Sequence, residues 1–255
     1  MKNRVKQVIA RFMYLTYDPR KLRKFGFLPR YVSDLSKFKK RGGKLTHFDP
    51  IISDYKTSAG TITGDYFHQD LVVAQYIFKN NPERHLDIGS RIDGFVAHVA
   101  AFRKIEVSDI RPVRSNVDNI EFVQSDITQL DTSLIDKYDS ISSLHAIEHI
   151  GLGRYGDTVD PNGHLIAFNN IIAMTRPGGK IYLGLPFSKV MQVHFNASRI
   201  FSLGYILEEF IESNNLTLEC FDYVDDEGFL HHDRNIKQVS SLDIKYGCAI
   251  LTLQK

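Results

Sequence analysis

Three acids stand where three successive apolar runs end: Asp87 in HLDIGS, Asp109 in IEVSDI and Asp126 in FVQSDI. If those runs are neighbouring strands of an open parallel sheet, their carboxyl ends line the crevice where such sheets bind ligands. A carboxylate at the second edge, Asp109, can accept hydrogen bonds from both hydroxyls of a ribose, the logic of dinucleotide-binding domains. Each acid alone also fits a helix cap; three at successive edges are the more specific signal. The first run continues through Gly89-Ser90-Arg91-Ile92-Asp93-Gly94, a strand-to-helix turn where glycine admits a ligand close to the backbone and the next helix offers unpaired N–H groups. No Gly-Lys-Ser/Thr ends the turn, so it is no Walker loop, and Arg91 breaks the G-x-G-x-x-G fingerprint.

After a fourth run comes Ser143-Leu144-His145-Ala146-Ile147-Glu148-His149. In a helix His145 and His149 share a face, with Glu148 displaced from it. The order is not His-Glu-x-x-His, so protease-like zinc chemistry has no support. A divalent ion with Asp157 or Asp160 as oxygen ligands stays open as a second use of the histidines. Cys220 and Cys248 form no metal-spaced pair and no disulfide framework, which makes a reducing compartment, the cytoplasm, the expectation.

The elements that must carry these residues follow from periodicity. Apolar runs at 85–88, 105–108, 121–124, 140–143 and 180–185 read as strands, with two more near 216–224 and 246–253. Helical stretches fall at 94–102, 163–174 and 201–214, and an earlier helix begins near Asp70 and ends at Asn80-Asn81-Pro82. Strands alternating with helices make a doubly wound α/β domain over residues 83–255. Residues 45–82 form a polar lead-in and the first helix; within it Gly64 to Asp70 reads either as a lid over a pocket or as a plain lead-in. With 43% hydrophobic and 24% charged residues, disorder, collagen and coiled coil are excluded for the whole.

Residues 1–44 hold 14 Lys/Arg against Asp18 and Asp34, while the rest carries 18 basic and 28 acidic side chains. Within this basic extension residues 2–15 have helical apolar spacing, and no stretch is apolar enough to cross a bilayer or to act as a strong secretory signal. The head can pack on its own acidic body, or be drawn to an anionic membrane surface, which gives a peripheral position at the inner face. Nucleic acid is the weaker partner, because no nucleic-acid module is recognisable.

The series Asp87-Ile88-Gly89, Asp109, Asp126, Tyr138-Asp139 before the fourth strand and Arg176-Pro177-Gly178-Gly179-Lys180 before the fifth resembles class I S-adenosylmethionine-dependent methyltransferases over residues 83–255. HLDIGSRIDGFVAHV with EHIGLGRYGD is more narrowly similar to an uncharacterised methyltransferase-like family of bacterial surface-polysaccharide gene clusters. The resemblance implies a seven-stranded, mostly parallel sheet with an antiparallel last strand. It also implies Gly89 under the methionine of S-adenosylmethionine, Asp87 at its amino group, Asp109 at the ribose and Asp126 at the adenine amine. One departure stands out: Arg91 and Asp93 occupy the positions of the usual second and third glycines, and Gly94 is displaced by one. A shifted loop, Arg91 as a clamp for an anion, and weak or altered cofactor use are the readings left open.

Methyl transfer to a hydroxyl needs an aligned acceptor and a base, for which His145 or His149 has suitable chemistry, with Asp157 nearby. His68, Arg154, His194 and Arg199 are the side chains expected to meet a sugar or a phosphate on it. The expectation is an O-methyltransferase of a sugar or glycan intermediate. Its rivals are a methyltransferase of another small molecule and a non-catalytic scaffold in a glycan-assembly complex.

Overall fold

The computed structural model describes residues 26–114 and 117–255; the helical stripe expected over residues 2–15 lies outside them. The chain falls into two compact units, Met1–Thr61 and Ile62–Lys255. In the first, helix α1 (Leu28–Lys40) carries Pro29 in its first turn, where a missing N–H breaks no helical bond, and Lys37, Lys39 and Lys40 at its negative end. Phe27 packs on Tyr55 with ring centres 5.3 Å apart, and Tyr31 meets Phe48 edge-on at 6.2 Å. Among the described residues no helix is long and apolar enough to cross a membrane.

The second unit is built on one sheet. Its strands are β1 (His85–Ile88), β2 (Ile105–Asp109), β3 (Ile120–Gln124), β4 (Tyr138–Leu144), β5 (Thr175–Phe187), β8 (Thr217–Val224), β9 (Leu230–His231) and β10 (Gly247–Gln254). Their spatial order is β3-β2-β1-β4-β5-β10-β8-β9. The β1–β5 ladders are parallel, and β10 runs antiparallel to both β5 and β8. This is the expected doubly wound α/β fold with its antiparallel last strand. It exceeds the expectation by β9, and by a separate hairpin of β6 (Gln192–His194) and β7 (Ser198–Ile200). Strands of two or three residues are too short to leave a periodic signal.

Both faces of the sheet are covered, which explains why its central strands read as continuous apolar runs. Alternation separates the two cores: Ile181, Leu183, Leu185, Ala249 and Leu251 face one layer, and Tyr182, Cys248 and Ile250 the other. The first layer receives α4 (Gly163–Met174), α5 (Leu203–Tyr205) with a π-helical stretch at Ile206–Glu212, and α6 (Ile236–Val239). The second receives α2 (Asp65–Asn80) and a π-helical turn, Ile92–Val96, that runs into α3 (Ala97–Ala100). Helix α2 stops as expected, with Asn81 left-handed at φ +44 before Pro82. It starts at Asp65, however, so the segment read as a lid or lead-in forms its first turns. The stretch expected as a helix over 201–214 is π-wound in its second half, which lets Ile206, Phe210 and Ile211 all reach the core.

Candidate functional site

The carboxyl ends of β1 to β4 converge where the strand order reverses, between β1 and β4, the ligand crevice of open α/β sheets. They border a cavity of about 320 Å3, within the size class of small-molecule sites. Gly89, Arg91, Asp109, Asp126, His145 and Glu148 stand in its wall.

Gly89 leaves β1 at φ +71, and a Cβ there would lie 2.9 Å from the Cβ of Ala146. Only glycine lets these two turns close, and it leaves bare backbone toward the cavity. Behind the turn Asp87 is fully buried, accepting from Ser90 Oγ and Ser142 Oγ at 2.6 Å each and from Ser90 N at 3.1 Å. Burial pushes its carboxyl up to about 7. Asp87 thus braces the turn from behind and is not in the cavity wall, so the help it is expected to give in holding an amino group would act through the turn.

Asp109 ends β2 with its carboxylate in the wall. Arg111 grips it through N and Nε on Oδ1, at 2.8 and 2.9 Å, and through Nη2 on Oδ2 at 2.5 Å. With one such bond on Oδ2, that oxygen keeps lone-pair capacity for a hydroxyl. Asp126 accepts from Thr128 N and Oγ1, at 2.9 and 2.8 Å, both through Oδ1.

The displaced glycine has a structural counterpart. Val96 N donates to Arg91 O at 3.3 Å, five residues back, so the helix opens with a π turn that takes up one extra residue. Gly94 sits inside that turn, where a Cβ would strike Asp70 Oδ2, and it is away from the cavity. Arg91 is in the wall, paired with Asp93 and stacked over Tyr66 at 5.0 Å.

His145 follows β4 in the left-handed region at φ +51, uncommon for a bulky residue. Its N donates to Gly184 O at 2.8 Å, and its Nδ1 bonds Gln69 Oε1 at 2.8 Å. The positive φ ends β4 sharply, so His145 and His149 do not share one helix face; only Ile147–His149 forms a 3-10 turn. Burial lowers His145 to about 4 and His149 to about 4, so both imidazoles are neutral at pH 7. Burial pushes the Glu148 carboxyl, 1% exposed, up to about 8.

His149 donates from Nδ1 to Ala197 O at 2.7 Å, and Arg154 Nη1 joins the same carbonyl at 2.9 Å. Asp157 lines the cavity, yet its carboxylate is taken up by Gly151 N, Gly153 N and Tyr155 N. Burial works to raise Asp157, but these backbone N–H groups outweigh it and hold the carboxyl below the usual range. It is a loop clamp rather than a base. Among the described residues no group of three or more His, Cys, Asp or Glu side chains is placed to hold a metal ion, so the divalent-ion reading has no donor set.

Of the four expected substrate contacts, Arg154 alone is in the wall. His194 is exposed on the β6–β7 hairpin and bonded to Gln192, and His68 packs against Phe67 on α2. Arg199 is 2% exposed and donates to the carbonyls of Glu148, Ile150 and Pro161. It fastens the hairpin to the His149 turn and is closed to a ligand. Tyr66, in the wall, and Gln69, bonded to His145, belong to the segment read either as a lid or as a lead-in, which singles out neither of them as a site residue.

The family model described as "Caenorhabditis protein of unknown function, DUF268" matches residues 97–224, half of the chain. No curated protein matches in sequence. Among solved structures, the chain is similar to the Burkholderia thailandensis 1,6-didemethyltoxoflavin-N1-methyltransferase with bound 1,6-didemethyltoxoflavin and S-adenosylhomocysteine. Identity is 14% over 90% of this chain and 89% of that one, with a TM-score of 0.53. The N-methyltransferase NodS from Bradyrhizobium japonicum WM9, in complex with S-adenosylhomocysteine, gives 13% identity, 86% and 97% coverage and a TM-score of 0.50. The [4+2]-cyclase SpnF gives 14%, 85% and 90%, and 0.51. At such identities the likeness shows the fold alone, and the fold is that of class I methyltransferases.

Proposed function

The chain belongs to the family described as Caenorhabditis protein of unknown function, DUF268, and from that premise we propose that it is an S-adenosylmethionine-dependent methyltransferase of a small molecule. The observation that carries this reading is the Asp109 carboxylate at the end of β2, in the same cavity wall as the bare Gly89 turn. That pair suits a ligand with a ribose diol at one end and an amino-acid chain at the other, and Asp126 adds an acceptor for an adenine amine. S-adenosylmethionine supplies a methyl group on a sulfonium, already activated for transfer.

The chain's own residues then hold the acceptor. His145, neutral and fixed by Gln69, stands in the cavity wall as the candidate hydrogen-bond acceptor for a protic nucleophile. The π turn at Ile92–Val96 supports an occupied site over a scaffold, since it absorbs the displaced glycine. Methylation of a sugar or glycan intermediate is the narrower reading. It rests on the sequence resemblance, with Arg154 as the expected contact still in the wall. Attachment of residues 1–44 to an anionic membrane surface belongs to the same proposal, on charge alone.

Thermal unfolding tests the reading. S-adenosylhomocysteine at about 100 times its Kd adds about 2.7 kcal/mol, which for a unit of this size raises Tm by about 5–10 °C. An unchanged Tm at millimolar ligand counts against it.

A further inference from the structure

The loop Gly151-Leu152-Gly153-Arg154-Tyr155-Gly156-Asp157 is closed on itself. The Asp157 carboxylate takes three of its main-chain N–H groups, those of Gly151, Gly153 and Tyr155. Gly151 turns at φ +81, where a Cβ would strike the Asp160 carbonyl, so the loop's entry admits no side chain. Arg154 and Tyr155, both exposed, are the residues this loop holds in the cavity wall alongside Asp157.

The Arg154 guanidinium is fixed on one side. Its Nη1 donates to the Ala197 carbonyl at 2.9 Å and lies 3.2 Å from His149 Nδ1, and its central carbon stands 5.2 Å from the centre of the Tyr155 ring. The hairpin that supplies Ala197 is itself fastened by Arg199 to the carbonyls of Glu148, Ile150 and Pro161. An arginine held in this way loses little freedom when a ligand arrives.

The other two arginines of the wall show what its free side is for. Arg91 gives Nε and Nη2 to the two oxygens of Asp93, at 3.2 Å each, and Arg111 gives the same pair of nitrogens to Asp109, at 2.9 and 2.5 Å. Arg154 has the same edge, yet among the described residues its Nε and Nη2 have no acceptor and no carboxylate forms a salt bridge with it. The acids of the wall are committed elsewhere: Asp109 to Arg111, Asp126 to Thr128 and Asp157 to its loop, while Glu148, raised by burial to about 8, keeps its proton at pH 7. We propose that the molecule to be methylated carries an anionic group with two oxygens side by side, a carboxylate or a phosphate monoester, and that the Nε–Nη2 edge of Arg154 receives it; this rests on the methyl-transfer reading above. Two parallel N–H···O bonds to one anion need the planar fork of an arginine, which a lysine lacks.

The test uses the full chain labelled with 15N-arginine and saturated with S-adenosylhomocysteine, at low salt. Acetate and methyl phosphate are titrated against their uncharged counterparts, acetamide and trimethyl phosphate. At least one anion is expected to shift the Arg154 Nε–H resonance, identified by its loss in Arg154→Gln, and to bind about tenfold tighter than its counterpart. The tighter anion tells carboxylate from phosphate. Arg154→Gln should reduce the preference to within about twofold, and Arg154→Lys, with the charge but no fork, should keep about three- to fivefold. Both variants should bind S-adenosylhomocysteine within about twofold of wild type. A tenfold loss there would assign Arg154 to the carboxylate of the cofactor and overturn the inference. So would an unmoved Arg154 resonance, no preference for either anion, or a preference retained in Arg154→Gln. If S-adenosylhomocysteine does not bind wild type, the methyl-transfer premise falls, and the same titrations without it still decide whether Arg154 receives an anion.

Discussion

Asp109→Ala is expected to weaken S-adenosylhomocysteine binding by about 10- to 100-fold, the value of one or two hydrogen bonds to a charged group. Asp109 combines a place in the wall with an oxygen, Oδ2, that takes only one protein hydrogen bond. Its side chain is 11% exposed and pairs with the half-exposed Arg111 across the cavity rim, so the substitution should leave the core intact. Calorimetry on wild type and variant, with urea unfolding as a control for the fold, reads the effect. Equal affinities would remove Asp109 from the binding machinery.

The second large effect is on stability. Glu148 is buried with a carboxyl at about 8, against 4.5 for the free side chain. Between those values the unfolded chain releases a proton that the folded chain keeps, so folding stability falls as pH rises through the window and levels off above it. Glu148→Gln has no proton to hold. The variant and wild type are therefore expected to differ little near pH 4.5 in this respect, while by pH 8–9 the variant gains about 3–5 kcal/mol relative to wild type. The comparison cancels the opposite slope from His85, His145, His149 and His164, whose burial lowers their values and removes stability on acidification. Urea unfolding at several pH values measures the difference. Parallel curves for the two proteins would mean that Glu148 is ionised in the folded state.

The sheet was legible where burial on both faces writes a continuous apolar run. Strand β1 and helix α4 fall on the expected residues, His85–Ile88 and Gly163–Met174. So was the ring of acids at the strand ends, because parallel topology forces Gly89, Asp109 and Asp126 into one crevice. What the sequence hid depends on contacts between distant segments. Helix α2 starts early at Asp65, and Gln69 reaches His145 across the sequence; no local pattern announces that pairing. A helical reading of the stretch displaces Glu148 from the face of the histidines, whereas the positive φ of His145 ends the strand sharply and Glu148 is buried. Arg199 read as a substrate contact because it is an arginine beside polar residues, and only tertiary packing shows its guanidinium donating to three main-chain carbonyls.

A crystal structure of the full chain with S-adenosylhomocysteine puts the methyl-transfer reading most directly at risk. The expected result is the ribose hydroxyls on Asp109, the amino-acid end over Gly89, and the sulfur facing the cavity wall of His145 and Glu148. A crevice without ligand at millimolar S-adenosylhomocysteine, or a ligand bound elsewhere on the molecule, would contradict it.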